Sequence, residues 1–178
     1  MGIINVTPDS FSDGGKYFTK NSAVNHAMSL INDGADILDI GGESSRPGAA
    51  PISVKDELNR IIPVIKSIRK TDSVVLISID TTKSIVAKQA VEAGADIVND
   101  ISGFFLDKNM PSVVSSLDVP VILMHMKGTP LTMQKKPHYD NLVGEISSFF
   151  LSQINVAKSA GIKTEKIILD PGIGFGKT

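Results

Sequence analysis

The sequence predicts an α/β fold built on a parallel β-sheet, and two observations support this prediction. Six short apolar runs rich in Ile, Val and Leu recur along the chain and are separated by stretches with helical periodicity. The runs are nearly continuous rather than alternating, as expected for strands buried on both faces. The second observation is an internal repeat, DGADILDI at 33–40 and AGADIVND at 93–100. Each copy indicates a helix that ends on a glycine and leads directly into a strand.

Six strands and five helices follow from these patterns. The predicted strands span residues 2–6, 36–42, 74–81, 96–102, 120–126 and 166–172. A helix is predicted between each pair of successive strands. Asn21 or Ser22 is the predicted cap of the first helix, Ser53 caps the second, Thr82 opens the third and Pro111 lies in the first turn of the fourth. The fifth is a long helix at 141–160. Pro63 lies inside the second helix, where we expect a kink because proline lacks the N–H of an intrahelical hydrogen bond.

Repeated βα units leave two architectures open, a doubly wound sheet and a (β/α)8 barrel. A barrel needs two βα units more than the six strand patterns provide, or about 60 further residues at the usual spacing. We therefore expect residues 1–178 to form one domain that is either an open sheet or part of a longer protein. The hydrophobic content of 42% is sufficient for a substantial core.

Composition excludes several classes of protein. A net charge of −1 gives no overall field that would attract nucleic acid or an anionic membrane. The absence of Cys excludes disulfides, thiolate metal sites and a Cys nucleophile. No apolar run reaches the roughly 20 residues of a membrane span, so the expected location is the cytoplasm. The three His residues lack zinc-site spacing, and no Ser lies in a G-x-S-x-G elbow.

A polar side chain closes each predicted strand. These residues are Asn5, Asp39 with Glu43, Asp80, Asn99 with Asp100, His125 and Asp170. Because the carboxyl ends of parallel strands meet at one edge of a sheet, we expect a cup lined with carboxylates and amides. Such a cup suits a flat heterocycle with several N–H donors, and Asp80 and Asp170 are candidates for a bidentate contact with a guanidine-like edge. Asn99 can both donate and accept.

Two long loops rich in Gly, Ser and Pro follow the first two strands. They read NVTPDSFSDGGKYF at 5–18 and GGESSRPGAAP at 41–51. Arg46 lies among hydroxyl groups in the second loop, which is typical of a phosphate or pyrophosphate site. Asp9 and Asp13 in the first loop are candidates to face a Mg²⁺ that accompanies the anion, since Mg²⁺ prefers oxygen ligands.

The final stretch, DPGIGFGKT, ends like the P-loop of a nucleotide-binding protein. Counting back from its Gly-Lys-Thr end places the first required glycine of that motif on Pro171, which has no N–H to offer a phosphate. The P-loop interpretation therefore fails. The residue of interest is instead Asp170 at the strand tip, with Phe175 as an aromatic wall beside it.

Six blocks of sequence, in this order, resemble dihydropteroate synthase: NVTPDSFSDGG, DIGGESSRPGA, SIDTTK, IVNDISG, LMHMKGTP and DPGIGFGKT. The resemblance covers essentially the whole chain. It implies a (β/α)8 TIM barrel with six of its eight βα units present here. It also implies a transferase of folate biosynthesis that is a sulfonamide target. Such an enzyme condenses 6-hydroxymethyl-7,8-dihydropterin diphosphate with 4-aminobenzoate, releases pyrophosphate and uses Mg²⁺.

The resemblance also implies roles for individual residues. The residues implied for the pterin pocket are Asp80, Asn99, Asp170 and Met124. Those implied for the diphosphate and aryl pocket are Ser45, Arg46, Phe11, Pro47 and Phe175. Asp13 is the implied loop acid, and Asn5 is the implied metal ligand. Among these, the expected catalytic residues are Asp13, Arg46 and Asp80.

The chain departs from the family pattern in two places. Ser45 stands where many members have Thr, so the hydroxyl is retained while packing on the aryl ring should loosen. The family's Ser-x-Lys and Arg-x-His segments of the last two strands, and the helices of its homodimer, have no counterpart in the sequence, and the amino-terminal strands look curtailed. We therefore expect a partial sequence of a homodimeric enzyme, inactive as an isolated 178-residue chain.

Two alternatives remain open. A pterin-binding methyltransferase domain would share the barrel and the cup but has no need of a diphosphate loop. A non-catalytic remnant would keep pterin affinity without the aminobenzoate site. The blocks NVTPDSFSDGG and SSRPG favour the synthase, whose expected partners are its two small-molecule substrates.

Overall fold

The fold is a parallel β-sheet of six strands in the described part of the chain, with helices between successive strands. The computed structural model describes residues 1–7, 20–44, 49–129, 132–134 and 136–177. The strands are β1 (Gly2–Asn5), β2 (Ile37–Gly41), β3 (Leu76–Asp80), β4 (Ile97–Asp100), β5 (Val121–Met124) and β6 (Ile167–Asp170). All six predicted strands are confirmed, and each is shorter than predicted by one or two residues at one or both ends.

The helices are α1 (Lys20–Asn32), α2 (Val54–Thr71), α3 (Ser84–Glu92), α4 (Met110–Leu117) and α5 (Leu142–Ser159), and a 3₁₀ turn at Thr164–Lys166 precedes β6. The Ser53 cap is confirmed, because its Oγ accepts a hydrogen bond from the Asp56 backbone N–H at 3.1 Å. Pro111 lies in the first turn of α4, also as predicted. Helix α2 runs as one element through Pro63, which lies on its exposed side.

The predicted start of α3 at Thr82 is wrong by two residues, since the helix begins at Ser84. The reason is a partner that sequence spacing does not reveal. The Asp107 carboxylate accepts a hydrogen bond from the Ser84 backbone N–H at 2.8 Å, so a distant loop supplies the acceptor at this helix end. Thr81 accepts from the Lys83 N–H at 3.2 Å and thereby holds the chain in a turn before the helix.

The order of the strands across the sheet is the same as their order along the chain. A doubly wound sheet reverses its order at a switch point, and no reversal occurs among these strands. Right-handed crossovers in a single direction place every helix on the same face, which is the arrangement of a (β/α)8 barrel. The sequence left both architectures open, and the strand order decides for the barrel type.

The two faces of the sheet have different compositions because side chains alternate along each strand. The outer face is a hydrophobic core packed under the helices, and it contains Ile4, Leu38, Ile40, Ile77, Ile79, Val98 and Leu123. The inner face carries polar side chains in register. Asp39 pairs with Ser78 and lies next to Ile3 on the other side. One step further along the strands is the row Asn5, Gly41, Asp80 and Asn99.

The outermost strands of the sheet, β1 and β6, are less buried than the middle ones. Ile3 on β1 is 61% exposed, and Ile168 and Leu169 on β6 are 45% and 42% exposed. In the central strands, by contrast, Ile79 and Leu123 are fully buried. The prediction of strands buried on both faces therefore holds for the middle of the sheet and not for β1 and β6.

Candidate functional site

The candidate site lies on the inner face at the carboxyl ends of the strands. Register aligns Asn5 with Gly41, Gly41 with Asp80, and Asp80 with Asn99. Gly41 makes room for the carboxylate in this row, because a Cβ on Gly41 would lie only 3.3 Å from Asp80 Oδ2. Toward the other edge of the sheet, Met124 of β5 pairs in register with Asp170 of β6 on the same inner face.

Asn99 is held by a carboxylate one row below it. Its side-chain nitrogen donates to both oxygens of Asp39, at 3.3 Å and 3.1 Å. A carboxylate can only accept, so this contact assigns the amide and leaves Asn99 Oδ1 as the acceptor. Among the described residues this buried oxygen has no hydrogen-bond partner. The arrangement provides an acceptor that a ligand N–H can satisfy.

Electrostatics in the cup favour a ligand that donates hydrogen bonds. Burial raises the pKa of Asp80 well above its ordinary value of 3.8, and the carboxylates of Asp39 and Glu57 raise it further. Burial likewise raises the pKa of Asp39, to which the charge on Asp170 contributes. Acidic groups crowded in this way are stabilised by N–H donors or positive charge.

Asp170 is fixed by its own loop. The Gly172 backbone N–H donates to Asp170 Oδ1 at 2.8 Å, and the Asp170 carbonyl accepts from the His125 N–H at 2.9 Å. Gly172 has a φ of +65°, and a Cβ there would lie 2.2 Å from the His125 carbonyl oxygen. Only glycine fits this position without displacing backbone, which explains the glycine that follows Asp170-Pro171.

Lys177 has a structural role in that loop. Its ammonium donates to three backbone carbonyls, those of His125 at 2.9 Å, Gly172 at 3.0 Å and Phe175 at 3.1 Å. A P-loop lysine would instead point its charge at phosphate oxygens. This geometry agrees with the rejection of the P-loop interpretation. Phe175 is partly buried in the same loop.

His125, which follows β5, packs against an aromatic side chain. It is 6% exposed, and its ring meets Phe149 edge-on with centroids 4.9 Å apart. Burial and the charge of Lys177 lower its pKa, which keeps the ring neutral. Among the described residues, no group of three or more His, Asp or Glu side chains is placed to hold a metal ion.

Asp100 belongs to a turn and not to the cup. It lies on the opposite face from Asn99 and is fully buried, and it accepts from the Ser102 N–H and hydroxyl and from the Phe104 N–H at 2.9, 2.7 and 2.9 Å. The other expected site residues in the long loops, Asp9, Phe11, Asp13, Ser45, Arg46 and Pro47, lie outside the described residues.

A charged cluster beside the cup was missed by sequence reasoning. Lys83 forms ion pairs with both Glu43 and Glu57, and Glu57 is fully buried. Glu57 stands in the first turn of α2, where an acidic residue is ordinary because it complements the helix dipole. Nothing in the sequence pattern therefore indicated a buried ion pair at this position.

Two cavities lie near the carboxyl ends of the strands. One of about 260 Å³ is lined by Asp80, Thr81, Lys83 and Glu43 among others, and it connects the charged cluster to the cup. A larger one of about 810 Å³ lies between the β4–α4 and β5–α5 connections and the start of α5, beside Phe105 and Phe149, and does not include Asp80. Of these two cavities the smaller one is lined by Asp80, and neither is lined by Asn99 or Asp170.

The family model described as pterin binding enzyme matches residues 1–178, the whole of this chain. The chain belongs to this family. Within it, the chain is 49% identical to the dihydropteroate synthase of Synechocystis sp. over 178 residues, which cover 100% of this chain and 61% of that protein.

Solved structures give the same result. The dihydropteroate synthase of Yersinia pestis, in complex with a sulfonamide drug, superposes with a TM-score of 0.93 at 44% identity, covering 99% of this chain and 64% of that one. The Xanthomonas albilineans enzyme with 4-aminobenzoic acid has a TM-score of 0.90 at 46% identity, covering 99% and 62%. The resemblance and the barrel fold with six βα units in this chain are confirmed. The chain spans about three fifths of the length of these relatives.

No helix in the described ranges combines the length and apolar character needed to cross a membrane.

Proposed function

We propose that the protein containing this chain is a dihydropteroate synthase. It joins 6-hydroxymethyl-7,8-dihydropterin diphosphate to 4-aminobenzoate and releases pyrophosphate. The observation that carries the proposal is the cup of Asp80, Asn99 and Asp170 at the carboxyl ends of β3, β4 and β6, in a chain whose curated relatives have that name.

The cup accounts for recognition of the pterin ring. Asp80 and Asp170 accept pairs of N–H donors from the guanidine-like edge of the ring. Asn99 offers Oδ1, because its nitrogen is already held by Asp39. Met124, which pairs with Asp170 in register, is 2% exposed and packs beside the ring as an adaptable apolar surface.

The chemistry needs no nucleophile from the protein. The bond between the pterin methylene carbon and the diphosphate oxygen breaks, and its electron pair leaves with pyrophosphate. The amine nitrogen of 4-aminobenzoate then forms the new C–N bond and loses one proton to solvent. The positive charge that develops on the methylene carbon is conjugated with the pterin ring, and the carboxylates that contact the ring stabilise it electrostatically in the transition state.

The long loops provide the rest of the proposed site. Arg46 and Ser45 bind the diphosphate and the aminobenzoate, and Arg46 takes up the charge of the leaving group. Phe11, Pro47 and Phe175 form the aryl pocket, and Asp13 orders the loops around the reacting methylene. The family resemblance supports these roles, and the acidity of the cup, which disfavours an anion there, agrees with them.

Mg²⁺ fits the site through Asn5. Its amide is a hard oxygen donor at the end of β1, in the same row as Asp80, and Mg²⁺ readily completes its coordination with phosphate oxygens and water. When bound there, the ion would supply positive charge to the diphosphate. The cytoplasmic location and the homodimer stay predictions.

The test uses the complete gene product that carries this chain. Incubation with both substrates should yield dihydropteroate and pyrophosphate in equal amounts, measured by chromatography and by an enzyme-coupled pyrophosphate assay. Asp80→Asn should abolish most of the turnover, whereas Asp72→Asn, at the exposed end of α2, should not. Pterin binding without pyrophosphate release would refute the synthase and identify a binding module instead.

A further inference from the structure

Lys83 joins three elements of the fold at one point. Its ammonium contacts Glu43, which follows β2, and Glu57 of α2 at 2.5 Å, while Lys83 itself precedes α3. Glu57 also accepts from the Thr81 hydroxyl at 2.7 Å. The cluster therefore ties the end of β2 and the end of β3 to the start of α2.

The same cluster fixes both ends of the loop that follows β2. Glu43 uses one oxygen for Lys83 and the other to accept the Ile52 backbone N–H at 3.1 Å. Arg60 of α2 donates to the Gly42 carbonyl at 2.8 Å, so the residue before Glu43 is held as well. Eight residues, 44–51, lie between the two anchored positions, and they include Ser45 and Arg46.

The cluster also lies against the cup. Asp80 is only three residues before Lys83, and Glu43, Lys83 and Asp80 line one cavity of about 260 Å³. Gly42 permits the close packing of this region, because a Cβ there would lie 2.8 Å from Ile61 and 3.0 Å from the Glu57 side chain. Thr81, at the end of β3, donates to Glu57, so β3 has an anchor that does not involve Glu43.

We propose that Lys83 and Glu43 are positioning residues for the half of the site that binds the diphosphate and the aminobenzoate. Their ion pair holds Glu43 beside Asp80, and Glu43 also holds Ile52, so the pair fixes the two ends between which the sequence has Ser45 and Arg46. The inference rests on the proposed function. It assigns Lys83 no contact with substrate.

The decisive variant is Glu43→Gln in the complete gene product. Glutamine keeps the acceptor for Ile52 but loses the charge that holds Lys83, and Lys83 still neutralises the buried Glu57. We expect kcat/KM for 4-aminobenzoate to fall about tenfold, as for other residues that orient a binding group. The Kd of 6-hydroxymethylpterin, which has no diphosphate, should stay within about twofold when measured by fluorescence quenching.

Glu92→Gln is the matched control, since Glu92 is an exposed partner of Lys88 on α3 at 4.0 Å, remote from the loop. It should leave both measurements unchanged. A Glu43→Gln variant with normal kcat/KM overturns the inference, as does one that loses pterin affinity and kcat/KM by the same factor, because that pattern indicates a general loss of structure. If the unsubstituted protein makes no dihydropteroate, the proposed function fails, and this inference fails with it.

Discussion

Removing the charge of Lys83 is expected to destabilise the protein mainly through Glu57. In Lys83→Met, the Glu57 carboxylate keeps its hydrogen bond from Thr81 but loses its cation while remaining fully buried. A buried charge deprived of its partner is destabilising because the protein replaces neither the water nor the counter-ion. Glu43 is less affected, since its side chain is 24% exposed and water can solvate it.

The size of the effect follows from this difference in burial. Loss of one partner of a buried ion pair costs about 3–5 kcal/mol, which we expect for Lys83→Met. Glu57→Gln should cost about 1–2 kcal/mol, because the glutamine side chain is neutral and can still accept from Thr81, and Lys83 keeps Glu43. The double variant carries no unpaired buried charge and should regain about 2 kcal/mol or more relative to Lys83→Met.

The measurement is urea unfolding of the complete gene product followed by circular dichroism, with the free energy of unfolding obtained for all four members of the cycle. Lys88→Met on the exposed side of α3 is the control and should change stability by less than about 0.5 kcal/mol. If the double variant is less stable than Lys83→Met, or if Lys83→Met matches the control, the stability does not come from compensation of the buried Glu57 charge.

Three further predictions concern the cup and its loops. Gly172→Ala should lower stability by about 1–2 kcal/mol because of its left-handed backbone alone, and by more because the new Cβ would lie 2.2 Å from the His125 carbonyl oxygen. The control is Gly34→Ala, since Gly34 has a φ of +95° and a Cβ there would meet no atom within 4 Å. It should show only the cost of the left-handed backbone. Asp80→Asn should raise the melting temperature at neutral pH and weaken 6-hydroxymethylpterin binding. Burial raises the pKa of Asp80 in the folded state, so the folded protein holds the Asp80 proton more tightly than the unfolded chain does. The gain in melting temperature from Asp80→Asn should therefore vanish below pH 3.8, where Asp80 is protonated in both states. A variant with a lower melting temperature at neutral pH would contradict this prediction. Ser45→Thr should change the affinity for 4-aminobenzoate or a sulfonamide, and unchanged affinity for both would refute the proposed packing of Ser45 on the aryl ring.

Sequence patterns predicted the strands well because each strand is marked by a short apolar run, which the sequence shows directly. The apolar runs ending at Asp80 and Asp170 were located to within two residues. The glycine that ends each repeated helix was also predicted, and Gly34 and Gly94 have φ values of +95° and +119°. Such turns are encoded by single residues, so one sequence is sufficient to find them.

Contacts between distant segments were not predictable in the same way. Asp39 and Asn99 both stand at strand ends, and nothing in their spacing shows that 60 residues of chain bring them within 3.1 Å. The start of α3 depends on Asp107, 23 residues away, and was therefore misplaced at Thr82. Glu57 has the sequence signature of a helix-dipole acid and the structure of a buried ion-pair partner.

The distribution of charge determines how a substrate can lie in this site. At the end of β3, Lys83 forms ion pairs with both Glu43 and Glu57, which leaves one net negative charge in that cluster. In the cup, burial raises the pKa of Asp80 and of Asp39; repulsion from Asp39, Glu57 and Glu43 adds to the rise at Asp80, and repulsion from Asp170 adds to the rise at Asp39. An anionic diphosphate in the cup would add to this repulsion, whereas a ring edge of N–H donors reduces it. Under the proposed function, the charge pattern therefore favours the ring in the cup and the diphosphate toward the loops after β1 and β2, where the sequence has Arg46.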